Sequence, residues 1–115
     1  MSTMRNSVQL IGRPGNDPEV KTFENDRTVA RFTLATNDYY YNQKGERIDD
    51  TQWHNIVAWG KIAETVQKLV KKGKLIAIEG KLTNRTWEDK DKKSHQITEI
   101  ILNEIITLEK DKGIL

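Results

Sequence analysis

One stretch of this sequence, KIAETVQKLVKK at residues 61–72, spaces its apolar residues as a helix does. Ile62, Val66, Leu69 and Val70 recur at three- and four-residue intervals. Gly73 stands where a C-cap belongs, and lysines crowd the last turns, as the helix dipole favours. No other stretch makes a good helix. The chain must therefore fold as a mainly β domain around a single helix, and the number of strands on either side of that helix restricts the topology.

Before the helix, MRNSVQLIG at 4–12 alternates loosely and ends at Gly12, and RPGNDPE signals a turn. Residues 20–23 can form a short strand, with a turn at Asn25-Asp26. TVARFTLAT at 28–36 alternates cleanly: Ala30, Phe32 and Leu34 share one face, and Val29, Arg31, Thr33 and Ala35 share the other. NDYYYNQKGERIDD reads as a long, mobile, polar hairpin loop turning at Lys44-Gly45, and residues 52–59 form another strand ended by Gly60. After the helix, residues 74–88 form a strand interrupted at Gly80 by a bulge or bend. The charged stretch at 88–95 is a hairpin tip, and residues 96–108 are a last strand. About three strands, a helix and two strands, with long hairpins, is the order of a five-stranded Greek-key barrel, the OB-fold, with its helix between strands 3 and 4; other small β-barrels remain open on pattern alone. Residues 1–110 read as one domain and 111–115 as a short frayed tail.

The 115 residues suit one compact domain, and a mean hydropathy of −0.73 is polar for a monomer, which favours burial in an oligomer. The absence of cysteine excludes disulfides, cysteine–zinc sites and thiol nucleophiles. No apolar run approaches a membrane span, and the start lacks a signal peptide's apolar stretch, so a cytoplasmic place and no membrane partner are expected. The two histidines, His54 and His95, fall in different elements, and neither a phosphate-binding glycine loop nor metal-ligand spacing is present. The sequence argues against an enzyme by lacking parts, and no cofactor or metal is expected.

What remains is aromatic. Trp53 and Trp59 lie six residues apart, on one face of their strand, with His54, Ile56 and Ala58 on the other. A lone strand tryptophan is more often core; two opposite Ile56 and Ala58 shift the balance toward exposure, although Val57 between them would also suit a buried face. Trp87 follows Gly80, and Tyr39, Tyr40 and Tyr41 sit in the other hairpin among Asn and Asp. Lys44, Arg47, Lys61, Lys72, Lys74, Lys81, Arg85, Lys90, Lys92 and Lys93 stand around them. The KKGK at 71–74 and the DKDKK tip are, taken singly, ordinary solvated charges. Net charge is only +2, so a polyanion site requires the basic groups to be segregated on one surface. Rings between cations are what unpaired bases need, because each stacked base contributes ~1–3 kcal/mol and Lys and Arg neutralise phosphates.

IGRPGNDPEV, VARFTLATND, TQWHNIVAWGKIAE, LVKKGKLIAIEGKLTNRTW and TEIILNEI cover about residues 4–108, and in their order and spacing the chain resembles the bacterial single-stranded DNA-binding protein family. The resemblance implies a homotetramer of OB-folds that binds single-stranded DNA in replication, recombination and repair. It implies base stacking on Trp53, Trp59, Trp87 and, from the tyrosine run, Tyr40. Lys61, Lys72 and Arg85 match basic positions along the DNA path, with Lys81 beside them, and His54 matches a histidine at the subunit interface. The typical family member continues into a linker with an acidic tip that docks replication and repair enzymes. This chain stops at EKDKGIL, as a tail-less member or as a shortened one, so that docking is not expected of it. The rival readings are a primosomal-type OB dimer, distinguishable by mass, and a protein-interaction module whose tryptophans dock another chain.

Overall fold

The computed structural model describes residues 4–109, so the tail expected at 111–115 lies outside the described residues. A 3-10 turn at Met4–Asn6 leads into β1 (Val8–Pro14), then β2 (Glu19–Thr22), β3 (Thr28–Tyr41), β4 (Arg47–Trp59), α1 (Lys61–Leu69), β5 (Ile76–Glu88) and β6 (Ser94–Thr107). The strands follow one another in the sheet as β1-β5-β6-β4-β3-β2, and β1 also pairs β3, at Arg13↔Ala35 and Pro14↔Leu34. That extra pairing closes five strands into a barrel, with the short β2 added along β3. It is the Greek-key OB arrangement implied by the sequence order; with β2 counted separately, the helix lies between β4 and β5.

The period-2 reading of residues 28–36 holds. Ala30, Phe32 and Leu34 point inward and join Ile56, Ala58, Ile76, Ile78, Ile100 and Leu102 in the core, with Ala63, Val66 and Val70 from the helix end of the barrel. Replacing Leu34, which is fully buried, with Ala would remove methylenes the barrel cannot refill, a change that costs about 2–5 kcal/mol. The helix is shorter than expected. It ends at Leu69, where Val70 turns extended while its N–H still bonds Val66 O, and Gly73, at φ +81°, belongs to the following turn, its N–H bonding Pro14 O. The apolar periodicity ran on through Val70 because that side chain still reaches the core without helical backbone.

Gly80 marks a bulge, as its place in the run suggested. Glu79 pairs Glu104 but Gly80 pairs Leu102, leaving Asn103 as the extra residue, and a Cβ at Gly80 would collide with the Ile101 carbonyl. The extra residue reverses the inward parity of β6, from Ile100 and Leu102 to Ile105.

The largest departure from expectation is the segment read as a mobile loop. Residues 37–41 and 47–51 are strand, paired down to Tyr41↔Arg47, and only Asn42–Glu46 turns. Polar residues on both faces carry no core periodicity, but the backbone ladder forms without one. The Asn42 side chain accepts the N–H groups of Lys44 and Glu46, each at 2.9 Å, and closes the turn. The β5–β6 hairpin is built alike, with Asp89 Oδ1 accepting from Asp91 and Lys93. These arms stand out from the barrel, and the radius of gyration, 16.5 Å, exceeds the ~13 Å of a compact chain of this length.

Candidate nucleic-acid interface

Paired residues point to the same side of a ladder, so the register maps the outer wall of the barrel row by row. Arg31, Val57, Ile101 and Lys81 form one row across β3, β4, β6 and β5; Thr33, Asn55, Glu99 and Thr83 form the next. Beyond them, Ala35 pairs Trp53, Arg85 pairs Ile97, and Trp87 pairs His95. Trp59 lies on the same wall, opposite Val29. Trp53, Trp59, Trp87, Lys81 and Arg85 are thus brought onto one surface, about a groove lined by Asn16, Arg31, Asn55, Val57, Arg85 and Glu99 among others. Val57, whose apolar character also suited a buried face, is buried on this wall, in the lining of that groove.

Each tryptophan has its own support. Trp53 is 61% exposed and lies over Gly15, where a Cβ would stand 2.5 Å from its Cζ3. Gly15 is held by its N–H bond to Thr33 O, and Asn16 by accepting the Thr33 N–H and hydroxyl. Trp59 is only half-buried, stacked against Phe23 from the β2–β3 hairpin at 6.3 Å between centroids, with the Arg27 guanidinium 4.6 Å from its ring. Trp87, 44% exposed, stacks on His95 at 4.6 Å, and His95 Nε2 lies 2.7 Å from Asp89 Oδ2. That contact with His95, ahead of the backbone N–H of Lys93, holds the Asp89 carboxyl below its ordinary 3.8.

The tyrosine run divides. Tyr39 and Tyr41 meet edge to face at 5.9 Å, and Arg47 stacks on Tyr39 at 4.3 Å. Both have the strand parity of Trp53's partner Ala35, whereas Tyr40, paired with Ile48, points to the reverse side of the arm. The ladder therefore does not put Tyr40 on the tryptophan wall. Lys61 opens the helix two residues after Trp59, and Lys72 lies in the turn tied to Asp17 Oδ1 through its own N–H, next to the segment beneath Trp53. His54 has the inward parity of its partner Leu34, opposite the tryptophans; it is half-buried, with Nε2 2.9 Å from Thr36 Oγ1.

Sequence reasoning missed Arg31 and Glu99. Glu99 is only 5% exposed and accepts from Arg31 Nη1 at 2.8 Å and from Arg85 Nε and Nη2 at 3.3 and 3.4 Å. The signal was present: one arginine inside VARF and one glutamate inside ITEII are opposite charges set in apolar strand runs. Among the described residues, no group of three or more His, Asp or Glu gathers as a metal site, and no helix is long and apolar enough to cross a membrane.

Residues 5–108 match the single-strand binding protein family. The chain belongs to that family. This family member is 42% identical over 112 residues to single-stranded DNA-binding protein 1 of Chlorobaculum tepidum, an alignment covering 94% of this chain and 68% of that protein. It is 38% identical over 100 residues to the single-stranded DNA-binding protein of Neisseria meningitidis, covering 87% of this chain and 58% of its relative. It therefore spans less than two thirds of the Neisseria protein. Among solved structures, a Plasmodium falciparum SSB in complex with ssDNA superposes with a TM-score of 0.84 at 34% identity, covering 95% of this family member and 99% of that chain.

Proposed function

We propose that the tryptophan wall is where this chain binds single-stranded DNA, without regard to base sequence. Unpaired bases stack on Trp53, Trp59 and Trp87, and phosphates meet Arg85, Lys81, Lys61 and Lys72. The observation that carries this reading is the placement of Trp53 and Trp87, both exposed, on β4 and β5 of the one wall that also holds a groove containing arginines. A duplex hides its base faces, so such a wall favours single strands. A strand continuing along the β3–β4 arm meets Tyr39 and Tyr41 on the tryptophan side and reaches Tyr40 only by crossing the edge of the arm.

The wall formed by β1, β5 and the end of β6 carries a second surface. Ile11, Ala77 and Ile106 form a row there, with Ile11 61% and Ile106 54% exposed. A polar chain with such a row is suited to self-association, and we assign this wall and the His54 region to contacts between copies in a homotetramer with two-fold symmetry. The protein works in the cytoplasm during replication, recombination and repair, and it performs no catalysis.

Titrating tryptophan fluorescence with oligo(dT), with duplex DNA as control, tests the reading. Quenching by the single strand alone is expected. Equal response to both, or none at low salt, overturns it.

A further inference from the structure

A buried carboxylate on a wall proposed to meet a polyanion needs an explanation. Glu99 lies in the central row of the wall, with Arg31 in the row on one side and Arg85 in the row on the other. The two guanidinium contacts differ. Arg31 makes a single short bond of 2.8 Å, whereas Arg85 spans both carboxylate oxygens at 3.3 and 3.4 Å, beyond the usual length of a charge-assisted bond. Both arginine side chains are nearly half exposed, so each keeps N–H groups turned to the groove, while the carboxylate does not. Glu19, across the β2–β3 ladder from Arg31, is exposed at the mouth of the groove and remains solvated.

We propose that Glu99 is a built-in counter-anion of the DNA groove. It keeps Arg31 as a permanent partner and holds Arg85 loosely, so that Arg85 is the arm exchanged onto a phosphate. Two arginines and one glutamate then act on the DNA backbone as one positive charge, not two. A DNA phosphate competes with Glu99 for Arg85, which tempers affinity and leaves the carboxylate to recapture the arm as the strand departs. Glu99 is thus a positioning residue that sets the grip of the groove. This inference rests on the proposed DNA-binding wall and goes beyond it.

The charge count makes the test quantitative, because for single strands the slope of log K against log salt is about −0.7 per neutralised phosphate. The slope is measured with oligo(dT) for the unsubstituted chain, for Glu99→Gln and for the double variant Glu99→Gln with Arg85→Gln, with circular dichroism as the check on folding. Glu99→Gln frees the second charge, so binding tightens several-fold at low salt and the slope steepens by about 0.7. The double variant restores one net charge and returns to the parent slope. A residue that only holds the fold would leave the slope of Glu99→Gln where it was and make the double variant flatter than the parent by about 0.7; that pattern overturns the proposal. If Glu99→Gln fails to fold, the double variant decides alone, since a parent-like slope supports the exchange and a flatter one refutes it. A parent chain that does not bind oligo(dT) at all removes the DNA-binding reading and this one with it, whereas parent binding with a Glu99→Gln slope equal to the parent's removes this one only.

Discussion

At the scale of single residues, the wall depends on small supports under large rings. Trp53 is placed by the missing side chain of Gly15 as much as by its own strand. In Gly15→Ala the new methyl meets the Trp53 ring and the Thr33 hydroxyl. The ring can yield, whereas the Thr33 hydroxyl is held by Asn16 Oδ1, so the variant is expected to fold with a lowered melting temperature and a tilted platform. Affinity for oligo(dT) should fall, by no more than the ~1–3 kcal/mol that one stacked base contributes. Intact affinity in that variant, read by fluorescence titration, would show that the ring position does not matter. The parity of Trp53 and Trp59 was legible in QWHNIVAWGK because strand period is a local property. The half-burial of Trp59 was not, because Phe23 and Arg27 reach it from another hairpin, a contact that spacing cannot reveal. Nor could one strand alone show that Arg31 and Arg85 share Glu99; four strands, β3, β4, β6 and β5, must first be set in register.

At the scale of elements, the two arms make different use of the same turn. In the β3–β4 arm the turn is fastened by the uncharged Asn42, and in the β5–β6 arm by Asp89, which also faces His95 beneath Trp87. The Asp89 carboxyl is held below its ordinary 3.8 in the folded chain. A depressed carboxylate contributes stability that is fully present above the unfolded value and is lost as pH falls through the folded one. The β5–β6 tip should therefore keep its order at neutral pH and loosen below about pH 4, whereas the β3–β4 tip should not respond. Because Asp89 is at the surface, water screens the effect, and the readout is local: amide exchange at residues 89–93 against residues 42–46 across pH 5 to 3. Equal behaviour of the two tips would contradict this. The arms are also where sequence reading lost most. Inside the barrel, a buried face imposes the alternation that makes TVARFTLAT plain. Beyond residue 36 both faces of the ladder meet water, and nothing in the hydropathy separates a paired arm from a loop, although the three tyrosines, Ile48 and Thr51 of the run favour strand.

At the scale of the whole molecule, the barrel keeps two kinds of surface apart. Aromatic rings and cations occupy the β3–β4–β6–β5 wall, and exposed isoleucines occupy the wall of β1, β5 and the end of β6. The bulge at Gly80 and Asn103 marks the change, because it lets β6 turn Glu104 and Ile106 outward after Ile100 and Leu102 have pointed in. Assembly through the apolar wall leaves the tryptophans free. The double variant Ile11→Lys with Ile106→Lys should therefore reduce the mass seen by sedimentation while each subunit still quenches with oligo(dT). A variant that keeps its assembly would place the contacts elsewhere. The barrel and its helix were readable from the order of elements, but the separation of the walls was not, since it depends on a one-residue slip between two strands.

The β3–β4 ladder has a further consequence for how such arms can change length. Every ring on the arm owes its side to its count from the barrel, and that count advances by two. One residue inserted into each strand would turn every aromatic beyond that point to the opposite side, while two would restore them, displaced outward by about 7 Å. The arm is therefore a ruler graduated in pairs. Homologues or redesigned chains that alter its reach while keeping their rings toward the strand should do so in even steps.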